Sequence, residues 1–271
     1  MATFAVLGAV EMCSGGHRVG LGHAKQRVVL AALLIEANRA VTRSELADRL
    51  WGRRPPPGGP GALYSYLSRL RAILARAGGA SIERDAGGYR LRVPEHAIDL
   101  HRFQDLLPRA RAERDEHRAV TLFEQALSLW RDDFCAGIDL PWFNARREVL
   151  HAQRLLAQLD HADLALRQGR HGELLPALAG RAASHPFDER AAEQLMIALC
   201  QSGRQAEALR CFAALRTRLV EELGVEPGAP LRQLHRRILC GLTPRPTAWG
   251  WRGHTAHASP GRSAGVQSRF Q

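Results

Sequence analysis

The stretch from 59 to 76, Gly-Pro-Gly-Ala-Leu-Tyr-Ser-Tyr-Leu-Ser-Arg-Leu-Arg-Ala-Ile-Leu-Ala-Arg, constrains this chain more than any other. Leu63, Leu67, Leu70 and Leu74 recur at helical spacing and predict one apolar stripe on a helix beginning near Gly61. At about 100° per residue the opposite face collects Ser65, Ser68, Arg69, Ala72 and Arg76, with Tyr64 and Arg71 on the flanks. No carboxylate occurs anywhere in the stretch. An outer face of Arg, Ser and Ala suits a polyanion. Arg forks onto a phosphate or a guanine edge, and small side chains let a helix sink into a groove. A merely solvated basic face is the alternative that the neighbouring segments must decide.

Those neighbours form a pattern. Phe4–Val10 reads as a strand, 13–17 as a turn and Arg18–Leu21 as a second short strand. A helix from about Ala24 to Ala37 follows, with Lys25, Gln26 and Arg27 in its first turn. Cations there oppose the helix dipole unless an anion such as a DNA phosphate lies nearby. Thr42 with Glu45 three residues on predicts a capping box for a helix running to about Trp51, where Gly52 stops it. The Pro-rich segment 53–61 predicts a stiff loop. Ser81–Arg84, a tight turn over 85–88 and Tyr89–Val93 predict a β-hairpin carrying Arg84, Arg90 and Arg92. Strands, two helices, a loop, a basic helix and a hairpin are the plan of a winged helix-turn-helix, in which the third helix reads the major groove.

Residues 1–96 resemble the OmpR/PhoB-type winged helix domains, above all those of the Streptomyces antibiotic regulatory proteins. The resemblance rests on Phe-Ala-Val-Leu-Gly at 4–8, Lys-Gln-Arg at 25–27, Ser-Glu-Leu-Ala-Asp-Arg-Leu-Trp-Gly at 44–52, Tyr-Leu-Ser-Arg-Leu-Arg at 66–71 and Gly-Gly-Tyr-Arg-Leu at 87–91. It implies that Ser65 and Ser68 face base edges and that Tyr66, Arg69 and Arg71 touch phosphates. Gly87, Gly88 and Tyr89 would form the wing tip. The helical wheel agrees for Ser65, Ser68 and Arg69. It sets Tyr66 and Arg71 nearer the core stripe, so packing remains open for Tyr66. With Lys25, Gln26, Arg27, Tyr64 and Arg84 these residues make up the expected DNA surface. In related regulators the loop before the reading helix meets RNA polymerase, which would make Arg53 and Arg54 polymerase contacts; a plain spacer is the other reading.

Residues 97–242 are almost entirely helical in pattern. Gly-Arg-His-Gly-Glu-Leu-Leu at 169–175 returns as Gly-Arg-Gln-Ala-Glu-Ala-Leu at 203–209, the period of tetratricopeptide repeats. Such helix pairs share a core and leave a concave surface for a partner. The segment resembles the bacterial transcriptional activation domain of the same family at 126–131, 185–189, 203–209 and Leu-Gly-Val-Glu-Pro-Gly at 223–228. Asp132-Asp133 departs from it, because relatives usually have Gly there. The expected fold is therefore mainly α: an N-terminal winged helix-turn-helix (α+β) over 1–96, then an all-α tetratricopeptide-like domain over 97–242. Residues 243–271, rich in Pro, Gly, Ser, His and Arg, read as a disordered basic tail.

Charge follows the same division. Residues 1–96 hold 14 Lys and Arg against 7 Asp and Glu, residues 97–242 hold 20 against 20, and the tail holds 4 against none. A basic unit joined to a neutral one suggests nucleic acid at one end and another partner elsewhere. The longest apolar run, Val28–Ile35, is far too short to span a bilayer. Five scattered cysteines without a CxxC pair argue against a disulfide framework or zinc, and the cytoplasm is the expected setting. No P-loop, HExxH or G-x-S-x-G motif occurs, so neither cofactor, metal nor enzymatic activity is expected.

The leading expectation, as the resemblance implies, is a transcriptional activator of a secondary-metabolite gene cluster. It would bind double-stranded promoter DNA at direct repeats, as a dimer on DNA, and recruit RNA polymerase holoenzyme. A repressor that uses its helical domain to sense a ligand or partner is the alternative. A helical scaffold or enzyme would leave the basic helix and wing unexplained.

Overall fold

The structure, a computed structural model, describes residues 2–242 other than 53, 55 and 86. The predicted polymerase contact Arg53 and the tail over 243–271 lie outside the described residues. Two small antiparallel sheets flank three helices. The first, in the order β1-β2-β3, joins β1 (Thr3–Ala5), β2 (Glu11–Ser14) and β3 (His17–Arg18). The second, in the order β4-β6-β5, joins β4 (Ala40–Val41) to the hairpin of β5 (Ser81–Asp85) and β6 (Gly88–Arg92). Between them lie α1 (Ala24–Ile35), α2 (Arg43–Trp51) and α3 (Gly59–Ala77). Seven further helices follow: α4 (Asp99–Ala112), α5 (Glu116–Ser128), α6 (Pro141–Arg167), α7 (His171–Ser184), α8 (Glu189–Gln201), α9 (Gln205–Leu223) and α10 (Ala229–Leu239).

Local chemistry explains most boundaries. The Thr42 hydroxyl accepts from the Glu45 backbone N–H while the Glu45 carboxylate accepts from the Thr42 N–H, closing the predicted capping box. These bonds hold the Glu45 carboxyl below its usual value. Helix α3 begins two residues before its expected start, because Pro60 sits in the first turn, where its missing N–H is no loss. Asp115 and Asp188 accept from the first-turn N–H groups of α5 and α8.

The expected first strand over Phe4–Val10 is not continuous; only Thr3–Ala5 pairs with β2, and Glu11–Ser14 forms a strand of its own. The reason lies far along the chain. The Val6 and Leu7 N–H groups donate to the Asp99 carboxylate at 2.8 and 3.0 Å. The carbonyls of Val6, Leu7 and Gly8 accept from Cys135, Arg131 and Ala136. The backbone at 6–8 thus bonds to the start of α4 and to the turn after α5 instead of to its own sheet. That turn carries Asp132-Asp133, and Cys135 takes a positive φ of 50° within it.

Apolar packing therefore does not stop at residue 96. One buried cluster runs from Ala2 through α1–α3, the hairpin, α4 and α5 to Leu164 of α6, with Phe103, Phe123, Phe134 and Phe143 at its centre. A second begins at Ala162 and is built by α7–α10 around Met196, Ile197 and Phe212. Helix α6, 27 residues long, belongs to both. In the second cluster Arg190 of α8 bonds Asp160 and Asp163 of α6 at 2.8 and 2.7 Å, and Gln194 holds the other Asp163 oxygen at 2.6 Å.

Candidate nucleic-acid interface

Helix α3 buries Leu63, Leu67, Leu70 and Leu74, as its periodicity predicts. Ser65, Ser68, Arg69, Ala72 and Arg76 are exposed on the other side. The Ser65 hydroxyl and the Arg76 Nε each return to a carbonyl one turn back, at 3.2 and 3.1 Å. Neither Ser68 nor Arg69 is tied to another side chain among the described residues. The face is cationic, uncommitted and free of carboxylate.

Tyr64 sets the edge of this face. It is 41% exposed, and its ring meets Tyr89 edge-on at 6.4 Å. The neighbouring Tyr89 and the Arg84 charge hold the Tyr64 phenol below its usual value, while burial and the proximity of Tyr64 push Tyr89 up. The charge of Arg43, at the start of α2, acts on Tyr64 in the same direction. Arg43, Tyr64 and Arg84 therefore converge from three elements on one exposed corner beside α3. Arg43 is the residue that sequence reading missed. Its only signal was its place just after the Thr42 cap, where a cation at a helix N-terminus calls for an anion.

Several predicted contacts have other work in the fold. Gln26 is buried beside Gly22, and a Cβ there would lie 2.5 Å from its side-chain oxygen. The Lys25 ammonium donates to the Leu50 carbonyl at 3.3 Å, at the negative end of α2, so the dipole conflict at α1 is relieved within the protein. Arg27 remains exposed. Tyr66 is half-buried, edge-on to His23 at 5.0 Å. The Arg71 Nε donates to the Ile82 carbonyl at 2.8 Å and its guanidinium lies over Tyr89, so it fastens α3 to the hairpin. Tyr89 is buried, and Gly88 is held by close approach: a Cβ there would fall 2.1 Å from the Val41 carbonyl oxygen. Gly87 and Gly88 lie at the turn end of the hairpin, Gly88 opposite Asp85, as a wing tip requires; Tyr89 follows them but turns inward. On the hairpin Arg90 pairs with Asp85 and Arg92 with Glu83, leaving Arg84 as the arginine that faces Tyr64. Arg54 is exposed in the loop between α2 and α3.

A second cation cluster joins this unit to α6. Burial pushes the Arg49 guanidinium down while Glu36 draws it back; it lies 4.3 Å from the Trp142 ring centroid. Glu36 also reaches Arg146 at 3.6 Å, and Arg146 covers the same ring at 5.8 Å. The Arg147 guanidinium donates to the Phe134 and Ile138 carbonyls. Among the described residues no group of three or more His, Cys, Asp or Glu could hold a metal ion, and no helix is long and apolar enough to cross a membrane.

A three-helix unit with a basic, exposed third helix and a hairpin wing, fused to stacked helical pairs, has the architecture of a winged-helix regulator of transcription. Comparison with known proteins agrees. The family model of the bacterial transcriptional activator domain matches residues 98–239, and that of the transcriptional regulatory protein C terminal matches residues 18–91. The chain is 38% identical over 230 residues to the regulatory protein DnrI of Streptomyces peucetius, covering 79% of this chain and 84% of that one. It is 35% identical to the transcriptional regulator RedD of Streptomyces coelicolor over 86% of this chain and 69% of that one. With the regulatory protein AfsR of Streptomyces griseus it shares 40% identity over 87% of its own length but only 24% of the relative's, about a quarter. In structure it is similar to Mycobacterium tuberculosis EmbR, solved with a low affinity phosphopeptide, with a TM-score of 0.80, 32% identity and coverage of 89% of this chain and 65% of that one. The chain belongs to the Streptomyces antibiotic regulatory protein family of transcriptional regulators.

Proposed function

We propose that this protein activates transcription of a secondary-metabolite gene cluster in the cytoplasm, by binding promoter direct repeats and recruiting RNA polymerase holoenzyme. The observation that carries the reading is the uncommitted, carboxylate-free face of α3, flanked by the corner of Arg43, Tyr64 and Arg84. On this reading the exposed Ser65 and Ser68 meet base edges, and the exposed Arg69, Arg43 and Arg84 meet phosphates. Direct repeats suit two copies bound head to tail, with half-sites about one turn, ~10–11 bp, apart. The fold adds support, since the reading helix and α4–α6 share one core and the protein can present a second surface at a fixed distance from DNA.

The test is a titration against DNA upstream of the neighbouring biosynthetic genes, with scrambled competitor and several salt concentrations, followed by transcription with purified holoenzyme. Footprints one turn apart and a rise in transcript are the expected results. Binding that is equally weak on every fragment would refute the operator reading, and a fall in transcript would make the protein a repressor.

A further inference from the structure

Helices α7, α8 and α9 enclose an open groove of about 600 Å³, of the size that takes a few side chains of a partner. Its walls are apolar and small: Leu175 and Ala179 on α7, Leu195 on α8, Cys211 and Ala214 on α9. Ala179 and Ala214 are exposed, and Leu195 and Cys211 are half-buried, so the apolar wall is open to an occupant. The rim is cationic. Arg210 and Arg218, two helical turns apart, stand on the same side of α9 as Ala214 and are exposed. Neither forms an ion pair among the described residues. The carboxylates on the rim are already engaged: Glu207 with Arg204 at 2.6 Å, and Asp188 with the N-terminus of α8.

An apolar trough with two exposed arginines along one edge, where Glu207 near Arg210 is already paired with Arg204, fits one kind of occupant. That occupant is an amphipathic helical segment with carboxylates beside its apolar stripe, laid along the groove. The chain's own tail over 243–271 has the wrong sign, with four arginines and no Asp or Glu. We infer that this groove, with Arg210 and Arg218, is where the protein takes hold of an acidic amphipathic segment of RNA polymerase holoenzyme. The inference rests on the activator reading above and adds to it the surface and the chemistry of the contact. The groove belongs to the second apolar cluster and the reading helix to the first, so the two contacts are separable by substitution.

The experiment measures holoenzyme recruitment to promoter DNA already bound by the full chain, as a supershift. It compares wild type, the double variant Arg210→Glu with Arg218→Glu, and Ala214→Trp, which fills the trough without changing charge. The double variant Arg232→Glu with Arg236→Glu, at exposed positions of α10 outside the groove, changes the net charge by the same amount and controls for it. Both groove variants should bind DNA within twofold of wild type and recruit holoenzyme at least tenfold more weakly; the control should recruit normally. In wild type, alkylation of Cys211 should slow when holoenzyme is added, while that of the exposed Cys240 should not. Normal recruitment by both groove variants would overturn the inference and leave the activator reading standing. No supershift with wild type would remove both.

Discussion

Asp99 is the residue whose removal should tell most about how this molecule holds together. Its two carboxylate oxygens accept from the Val6 N–H at 2.8 and 3.0 Å, the Leu7 N–H at 3.0 Å and the Leu100 N–H at 2.8 Å, and Arg131 approaches at 3.1 Å. Val6 and Leu7 are wholly buried, so water cannot replace the acceptor. One buried donor left unmade costs roughly 1–3 kcal/mol. Three such donors, offset by no longer burying a carboxylate, put Asp99→Ala at about 3–5 kcal/mol. A typical domain is held by ~5–15 kcal/mol, so roughly a fifth or more of its stability is at stake. Asp99→Asn keeps one carbonyl oxygen and should cost about half as much. Urea unfolding read by tryptophan fluorescence is a suitable assay, because Trp130 packs edge-on against Phe103 of α4 at 5.4 Å. The midpoint should fall at unchanged slope. A loss below ~1 kcal/mol for Asp99→Ala would refute the reasoning, since the N–H groups would then have found other partners.

The remaining expectations concern the interface and its supports. Arg69→Ala should weaken binding to all DNA sequences alike and lower the log–log salt slope by about one, measured by titration at several salt concentrations. Ser68→Ala should shift sequence preference by ~1 kcal/mol or more, read from competition between operator variants. Gly88→Ala should open the hairpin from β4, by clash with the Val41 carbonyl at a φ of +144°, and cost several kcal/mol in a urea melt. Burial raises the Asp99 carboxyl despite its donors, so the folded chain takes up a proton more readily than the unfolded one. Relative to Asp99→Asn, wild type should therefore lose stability as pH rises from the unfolded value through the raised folded one, as melts across acidic pH would record.

The features written locally were legible in the sequence. The leucine stripe of α3, the Thr42–Glu45 box, the hairpin and the succession of helices all rest on neighbours within a few residues. What was not legible rests on partners far along the chain. The break after Ala5 depends on Asp99 and on residues 131–136, which no periodicity near Phe4 announces. Gln26 and Lys25 share a basic first turn with Arg27, yet one is buried and the other is spent on α2; only Arg27 is left outward. The resemblance makes Arg71 a phosphate ligand while its spacing sets it nearer the core stripe, and it is drawn inward because the Ile82 carbonyl of the hairpin comes within reach. Arg43 went unread because its meaning depends on Tyr64, on the next helix.

Helix α6 has a consequence beyond packing. Its 27 residues, at ~1.5 Å each, span about 40 Å, with one end in the cluster that carries the reading helix and the other in the cluster that carries the groove. It works as a yardstick. On the proposed reading, where α3 settles on the duplex fixes both how far away and in which compass direction the groove points. Sliding the binding site by five base pairs would swing that direction to the opposite side of the DNA, however tightly the protein still bound. A promoter read by this chain would have to keep its phase as well as its letters.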